Sequence, residues 1–325
     1  MKKWLLACLY LVLAISLAGF SQGATVIAHR GASGYLPEHT LPAYAYAHAL
    51  RADFVELDLV MTKDNVLICL HDIYLEPTTD VELQYPERSR RDGHWYAADF
   101  TVDEVRTLHV HERTNSASSP VFPDRFPLGQ SSFFVPTLVE AIELVQGLNR
   151  STGRDVGLYP ELKRPSWHSS EGLPIEEAFL EILTDYGYSG QGANIIVQCF
   201  EADTLRALRT VFNTPFRLVQ LVSASWAYAE MWTESGLDEI AQYADGIGPS
   251  KTIIEGNPSY VSWAHARGLI VHPYTFRADS LPADYASLEE ELETFYFDYG
   301  VDGVFTDFPD AAIHVLARQD GLGAP

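Results

Sequence analysis

Residues 53–62, DFVELDLVMT, form an apolar run in which two acidic residues, Glu56 and Asp58, stand two positions apart. A nearly continuous apolar run is typical of a parallel strand that is covered on both faces. Side chains two residues apart on a strand point to the same face, so both carboxylates share one face. They either face solvent on an edge strand or lie together on a buried face.

On a buried face, the two carboxylates of Glu56 and Asp58 repel each other and are costly to desolvate. A bound divalent cation relieves both costs. A set of carboxylate ligands without Cys or His favours a hard ion such as Ca²⁺ or Mg²⁺. The run therefore predicts a metal site if it is an interior strand.

Similar β-like runs recur along the chain, and helical patterns at 176–187, 202–212 and 258–268 lie between several of them. This alternation predicts an α/β fold, a (βα)₈ TIM-type barrel with an inserted small subdomain. Nine candidate strands compete for eight places. The runs at 53–62 and 66–71 are joined only by TKDN, which is too short for a helix, so one of them is expected to be a hairpin partner or an addition to the barrel. The candidate strands are 25–29, 53–62, 66–71, 155–162, 194–200, 216–222, 244–248, 269–276 and 301–306.

Residues 76–135 break the rhythm, since they include a Ser- and Pro-rich stretch with little periodicity. We interpret them as an insertion that covers the mouth of a barrel spanning residues 24–325. Thr101 is a predicted helix start within it. Near the end of the chain, Asp307 is expected to cap a turn or the last helix.

Polar residues follow the apolar runs at several points. In GLYPELKRP, residues 157–165, Glu161 and Lys163 stand two apart, so Glu161 is a third candidate metal ligand and Lys163 either adds positive charge on its face or forms a surface ion pair. His29 and Arg30 follow the first run, and His71 follows VLICL. Active sites of parallel barrels lie at the carboxyl ends of the strands, so these side chains are expected to meet on one rim.

The first 23 residues have two Lys before an apolar stretch and small residues after it, which is the layout of a secretory signal peptide. We expect secretion, most simply to the periplasm, without stable membrane insertion of the mature chain. With 22 Lys and Arg against 44 Asp and Glu, the net charge of −22 argues against nucleic acid as a partner. Cys69 and Cys199 lie in apolar runs without metal-site spacing and are expected to be buried free thiols.

Together, the motifs HRGASGYLPEHT, ELDLVMTKDN, LHD, PELK and FTDFP resemble those of the glycerophosphodiester phosphodiesterases, and most closely the secreted, periplasmic branch. The resemblance implies metal-dependent hydrolysis of a small-molecule glycerophosphodiester to sn-glycerol 3-phosphate and an alcohol. Ca²⁺ is the metal expected in that branch, with Mg²⁺ as the alternative. His39 stands where Asn is more usual in the family, which puts no catalytic role in doubt.

The resemblance also implies roles for individual residues. Glu56, Asp58 and Glu161 match metal ligands, His29 and His71 match an acid/base pair, and Arg30 and Lys163 match phosphate-binding cations. Gln198 and Phe200 share a face at another strand end and are weaker candidates for substrate contacts.

Several alternatives stay open at this point. Either histidine can be the acid, and the nucleophile is either water or the glycerol 2-hydroxyl, which forms a cyclic phosphate. The preferred head group and the oligomeric state are not specified. The competing functions are a phospholipase-like barrel and a binding protein on a barrel scaffold that has lost its activity.

Overall fold

Eight parallel strands form a barrel in the computed structural model, which describes residues 24–190 and 192–319. The predicted signal peptide, residues 1–23, lies outside the described residues. The strands are β1 (Thr25–Ala28), β2 (Phe54–Met61), β3 (Leu67–Cys69), β4 (Gly157–Leu162), β5 (Ile196–Cys199), β6 (Arg217–Val222), β7 (Gly246–Pro249), β8 (Ile270–Val271) and β9 (Gly303–Thr306).

The strand order is β8-β7-β6-β5-β4-β2-β1-β9, and all neighbours on this path are parallel. β8 is much shorter than the predicted run 269–276. The residues after it nevertheless close the barrel: Phe305 N donates to Pro273 O at 3.0 Å, and Phe276 N donates to Phe305 O at 2.9 Å. The predicted TIM-type barrel is therefore confirmed.

β3 is the ninth strand, and it pairs with β2 in an antiparallel hairpin. The turn TKDN is held by Thr62, whose Oγ1 donates to Asp64 Oδ1 at 2.7 Å, and Asn65 adopts a left-handed conformation with φ of 60°. Asn tolerates this conformation better than most residues. The expectation that 53–62 or 66–71 forms a hairpin partner is confirmed, with β3 as that partner.

Helices follow most of the strands and cover the barrel. Thr101 and Thr137 each begin a helix with a reciprocal capping box, an interaction typically worth about 1 kcal/mol for the capping hydroxyl. The helices are α1 (Leu41–Ala49), α2 (Val81–Gln84), α3 (Val102–Val105), α4 (Leu138–Thr152), α5 (Pro165–Ser170), α6 (Glu176–Asp185), α7 (Ala202–Thr210), α8 (Glu234–Ile240), α9 (Lys251–Gly256), α10 (Ser259–His265), α11 (Leu288–Glu293) and α12 (Pro309–Gln319). Shorter 3₁₀ turns are Pro86–Arg88, Ala97–Asp99, Trp226–Trp232 and Ala278–Ser280, and Thr294–Tyr299 is a π-helix.

The barrel interior is apolar in one layer and, apart from Leu221, polar in the next. The apolar layer is Ile27, Phe54, Tyr159, Ile196, Val219 and Phe305. Because the side-chain period of a strand is two, the residue two positions later on each strand also points inward. Those positions are His29, Glu56, Glu161, Gln198, Leu221 and Asp307. The alternation thus carries the polar groups towards the carboxyl ends of the strands.

Residues 76–135 lie between β3 and α4 and contain α2, α3 and two of the 3₁₀ turns. Their buried apolar side chains, including Val81, Phe100 and Val110, pack with Val60 and Ile68 in a cluster separate from that around the barrel. The boundaries proposed for this insertion stay a prediction. We refer to residues 76–135 as the insertion.

Two further sequence expectations concern thiols and the membrane. Cys69 and Cys199 are buried and free, as predicted. Among the described residues, no helix has the length and apolar character needed to cross a bilayer.

Candidate active site

The loop after β1 turns sharply and delivers Arg30 to the barrel axis. Gly31 has φ of 82°, and a Cβ there would lie 2.8 Å from the backbone carbon of Ala43. A Cβ on Gly34 would meet the Phe308 ring at 2.5 Å. Only glycine allows this close approach. Arg30 itself has φ of 58°, and its backbone N–H donates to Glu56 Oε2 at 2.6 Å.

Glu56, Asp58 and Glu161 form a buried acidic triad. One carboxylate oxygen from each lies within 4.8 Å of those of the other two, so they could hold a metal ion. Glu56 and Asp58 project from β2, and Glu161 projects from β4, where it is the register partner of Asp58. The interior position is therefore correct for Glu56 and Asp58, and the edge-strand alternative is wrong.

The charges of the triad are poorly balanced by protein groups alone. Burial and the neighbouring Asp58 raise the pKa of Glu56 well above its usual range, and burial raises the pKa of Glu161 to about 8. Burial opposes ionisation of Asp58 as well, but Lys163 and a hydrogen bond from His39 hold its pKa well below the usual range. A divalent cation among these oxygens would compensate the repulsion, so the donor set fits a hard metal ion.

Arg30 and Lys163 supply positive charge beside the triad. Lys163 Nζ lies 2.8 Å from Glu161 Oε1 and 3.5 Å from Asp58 Oδ1. Arg30 Nη1 donates to Glu38 at 3.0 Å, while its buried Nε has no hydrogen-bond partner and lies 3.5 Å from Asp58 Oδ2. The buried Nε–H of Arg30 thus remains available for an anionic ligand. Lys163 is no surface ion pair, since its side chain is only 12% exposed.

His29 is held from behind by Asp307. Its Nδ1 lies 2.6 Å from Asp307 Oδ1, and the carboxylate is almost fully buried. Burial and the nearby Arg30 lower the pKa of His29 to about 4, although Asp307 partly opposes the shift. The imidazole is therefore neutral near pH 7, with Nδ1 bonded to Asp307 and Nε2 left to act elsewhere. The expectation that Asp307 only caps a turn or helix is wrong, because its carboxylate binds His29, Arg125 and Arg277.

His71 reaches the same pocket by a different route from the one the sequence indicated. It follows an antiparallel strand, so the argument from parallel strand ends does not apply to it. β2 extends outward, and β3 folds back along it until Leu70 N donates to Asp58 O at 3.0 Å. His71 Nδ1 lies 3.1 Å from Asp72 Oδ1. Burial and the cations Arg30 and Lys163 lower the pKa of His71 to about 3.

His39 supports a member of the triad. Its Nε2 lies 2.8 Å from Asp58 Oδ2, and its Nδ1 lies 2.9 Å from the Tyr44 hydroxyl. The ring is buried, and its backbone φ is 56°. A histidine that holds a carboxylate in this way orients a potential metal ligand without contacting the metal.

All nine predicted site residues line one pocket of about 360 Å³. Gln198 Nε2 donates to Glu56 Oε1 at 3.2 Å, and the Phe200 ring lies edge-on to Tyr274. Lys251 and Arg277 also line the pocket. Lys251 begins α9 shortly after β7, and Arg277 lies in an irregular segment after β8, so strand periodicity does not identify either residue. The nine predicted residues are His29, Arg30, Glu56, Asp58, His71, Glu161, Lys163, Gln198 and Phe200.

Comparison with known proteins places this geometry in a family. Residues 29–311 match the model of the glycerophosphoryl diester phosphodiesterase family. The chain is 36% identical to a glycerophosphodiester phosphodiesterase from Haemophilus influenzae, over 90% of this chain and 89% of that protein. It is 32% identical to one from Treponema pallidum, over 94% of this chain and 96% of that protein.

Solved structures show the same fold. A candidate glycerophosphoryl diester phosphodiesterase from Silicibacter pomeroyi superposes with a TM-score of 0.71 at 25% identity, covering 91% of this chain and 94% of that one. A phosphodiesterase from Oleispira antarctica, solved with the product sn-glycerol-3-phosphate, gives a TM-score of 0.64 at 24% identity, with 90% and 96% covered. With matches of this length and identity, the chain belongs to the glycerophosphoryl diester phosphodiesterase family.

Proposed function

We propose that this protein hydrolyses glycerophosphodiesters to sn-glycerol 3-phosphate and an alcohol, with a divalent metal ion, Ca²⁺ in preference to Mg²⁺, bound by Glu56, Asp58 and Glu161. The observation that carries the proposal is that two imidazoles, three carboxylates, Arg30 and Lys163 line one pocket. The relatives named glycerophosphodiester phosphodiesterase support the substrate class.

The pocket suits a phosphodiester because it concentrates positive charge in an acidic protein. When bound, the metal ion supplies Lewis-acid stabilisation of phosphoryl oxygens. Arg30 and Lys163 neutralise non-bridging oxygens and the charge that grows in the transition state. The pocket is thus locally positive enough to bind an anion, although the whole chain has a net charge of −22.

We assign the base to His29 and the acid to His71. His29 Nδ1 is engaged by Asp307, so its neutral Nε2 accepts the proton of the nucleophile while the new P–O bond forms. The P–O bond to the alcohol breaks, and protonated His71 gives its proton to the departing oxygen. Negative charge on the bound phosphodiester raises the pKa of His71 from its value in the free protein and favours this protonated form.

A second groove, of about 520 Å³, supports the assignment of His71 as acid. It shares His71, Glu161, Lys163 and Phe200 with the first pocket. It continues past Tyr74 and Trp167. His29 is absent from its walls. An alcohol that leaves into this groove departs on the His71 side. The aromatic walls accept head groups of different kinds, which fits recognition centred on the glycerophosphate.

The deciding experiment is a coupled assay of sn-glycerol 3-phosphate release from glycerophosphocholine. The protein is stripped with a chelator, then assayed without metal, with Ca²⁺ and with Mg²⁺. We expect activity to vanish on chelation and to return best with Ca²⁺. A lysophospholipid serves as the comparison substrate, and preference for it would favour the phospholipase alternative. Absence of glycerol 3-phosphate release with either metal contradicts the proposal.

The nucleophile is resolved by ³¹P NMR during turnover. A transient cyclic glycerophosphate indicates attack by the glycerol 2-hydroxyl, and direct appearance of the monoester indicates attack by water. The same assay on variants His29→Ala and His71→Ala tests the acid/base pair. Substantial residual activity in both variants contradicts those roles.

We further propose that residues 1–23 direct secretion, with the periplasm as the destination. The support is the order of charged, apolar and small residues in that segment. Mass spectrometry of the protein recovered from a periplasmic extract tests this. An N-terminus near Gly23 or Ala24 is expected, and an intact Met1 in that extract contradicts it.

A further inference from the structure

Two arginines of the insertion, Arg113 and Arg125, reach the carboxylates that hold the two active-site histidines. Arg113 Nη1 donates to Asp72 Oδ2 at 2.7 Å, and the other oxygen of Asp72 lies 3.1 Å from His71 Nδ1. Arg125 Nη2 donates to Asp307 Oδ2 at 2.7 Å, and the other oxygen of Asp307 lies 2.6 Å from His29 Nδ1. In both cases an arginine binds one oxygen of a carboxylate whose other oxygen contacts an active-site histidine.

Arg113 also connects to a phosphate-binding candidate. Its Nε and Nη2 donate to Glu38 at 2.9 and 2.6 Å, and Glu38 accepts from Arg30 Nη1 at 3.0 Å. The three nitrogens of the Arg113 guanidinium therefore donate to two carboxylates. Asp72 contacts His71, and Glu38 contacts Arg30. A planar fork of donors fixes such a geometry in a way that a lysine ammonium does not.

Arg125 is anchored by the barrel on several sides. Its side chain is only 4% exposed, and it donates to both oxygens of Asp279, at 2.7 and 3.0 Å, and to Ser33 O at 3.1 Å. The guanidinium carbon lies 3.7 Å from the centre of the Phe122 ring, which belongs to the insertion. Insertion and barrel are joined at this point through a group that also binds Asp307.

We propose that the insertion is a positioning element of the active site, in which Arg113 and Arg125 orient His71 and His29 through Asp72 and Asp307. This inference rests on the proposed hydrolysis. Neither arginine is among the residues that line the 360 Å³ pocket, so both act through another residue. A carboxylate with one oxygen fixed by a guanidinium has little freedom to rotate, so its second oxygen holds the imidazole in one orientation and one tautomer.

A purely structural role, in which the two arginines only fasten the insertion to the barrel, makes a different prediction. It predicts that loss of either arginine lowers the melting temperature and that the folded fraction keeps a normal kcat. The positioning role predicts a fall in kcat of the folded protein, with KM little changed, because the imidazole is misplaced while the phosphate-binding groups remain.

The test uses the full-length, metal-loaded protein in the glycerol 3-phosphate assay. We expect Arg125→Gln to lower kcat by about tenfold or more with less than about a threefold change in KM. Arg113→Gln lowers kcat similarly and, unlike Arg125→Gln, also raises KM, because Glu38, which holds Arg30, loses one of its two arginine partners. Guanidinium added to the Arg125→Ala variant is expected to restore part of kcat. Circular dichroism and the melting curve establish the folded fraction in each case.

A crossed pair of double variants shows which histidine each arginine serves. In an Asp307→Asn background, Arg125→Gln is expected to cost little more, while Arg113→Gln keeps its full effect on kcat. In an Asp72→Asn background, the pattern is reversed. If a glutamine variant fails to fold, Arg113→Lys and Arg125→Lys replace it, since they keep the charge but lose the two-oxygen geometry.

Arg88 provides the matched control. It lies in the same insertion and donates to Glu104 Oε1 at 2.6 Å, and its guanidinium carbon lies 4.0 Å from the Phe100 ring centre. These contacts stay within the insertion, so Arg88→Gln is expected to leave kcat unchanged. The proposal is overturned if wild type is active and folded Arg113→Gln and Arg125→Gln keep its kcat, or if all effects in the crossed variants simply add. Inactive wild type instead contradicts the proposed function.

Discussion

His29 and Asp307 lie 278 residues apart in the chain, yet Nδ1 of the imidazole and Oδ1 of the carboxylate are 2.6 Å apart. The contact exists because β1 and β9, the first and last strands of the barrel, are parallel neighbours in register, with Ala28 opposite Thr306. Each polar residue follows its strand directly. The pairing of the strand ends therefore fixes the orientation of the imidazole.

Asp307→Asn is expected to lower kcat by about 10²–10⁴-fold with a smaller change in KM. The asparagine keeps the size of the side chain, but it has only one acceptor oxygen. Arg125 and Arg277 retain that oxygen, so the amide NH2 faces His29 Nδ1 and selects the other tautomer. Steady-state kinetics on glycerophosphocholine measure the effect. The same substitution removes the negative charge that raises the pKa of His29, so the acid limb assigned to His29 moves to lower pH. A variant with normal kcat contradicts the role of Asp307.

The roles of the two histidines separate when the leaving group changes. An aryl phosphodiester of glycerol has a leaving group that departs without protonation, whereas choline does not. We expect His71→Ala to retain far more of the wild-type rate on the aryl ester than on glycerophosphocholine, and His29→Ala to be inactive on both. The reverse pattern makes His29 the acid.

Metal binding and pH are expected to act together on stability. Burial raises the pKa of Glu161 to about 8 and that of Glu56 well above its usual range. In the folded, metal-free protein these two carboxyl groups hold more protons than in the unfolded chain, so their contribution to stability falls as pH rises from about 5 to about 8. His29 and His71, whose pKa values are lowered to about 4 and about 3, contribute in the opposite direction as pH falls below about 6.5. In the proposed metal site, Ca²⁺ would replace the protons of the two carboxyl groups. The increase in melting temperature on adding Ca²⁺ should thus be larger at pH 8 than at pH 5.

Glu161→Gln checks this linkage. It removes one carboxylate of the triad, so the free energy of unfolding of the metal-free variant, measured relative to wild type, should be higher at pH 8 than at pH 5, and Ca²⁺ should stabilise the variant less. Differential scanning calorimetry in matched buffers measures both effects. If Ca²⁺ raises the melting temperature of wild type equally at pH 5 and pH 8, the proposed linkage between protons and metal is wrong.

His39 is expected to influence metal affinity through Asp58. His39→Leu removes the hydrogen bond to Asp58 and should weaken Ca²⁺ binding by about 10–100-fold. His39→Asn can still offer an N–H and tolerates the left-handed backbone, so its loss should be smaller. Calorimetric titration of the metal-free proteins gives the affinities. A leucine variant that binds Ca²⁺ as tightly as wild type removes His39 from the metal site.

Strand periodicity made the core of the site predictable. Glu56 and Asp58 stand two residues apart on one strand, and Glu161 and Lys163 stand two apart at the end of another. Residues two apart on a strand point to the same face, so these groups could be placed from sequence. The barrel class followed from the alternation of strands and helices. Strand ends shifted by one or two residues, and β8 shrank most, because its later residues make isolated bridges rather than a continuous ladder.

Residues outside regular strands could not be predicted in this way. Arg113 and Arg125 lie in irregular segments of the insertion, where no period relates spacing to direction. His71 was placed in the pocket by the rule for carboxyl ends of parallel strands. That rule does not apply to it, since it follows β3, which runs antiparallel to β2. Asp307 looked like a capping residue because it precedes Phe308 and Pro309 at the start of α12. Only the three-dimensional contacts reveal its bond to His29.

The pairing of β1 with β9 has a consequence for biosynthesis. During translation, β1, which His29 follows, leaves the ribosome near the start of synthesis. The last strand, β9, which Asp307 follows, leaves near the end. Every nascent chain that stops before β9 has an imidazole without its carboxylate and an unclosed barrel. Turnover of substrate therefore requires synthesis through residue 307 and barrel closure, and any truncation that removes Asp307 should abolish it.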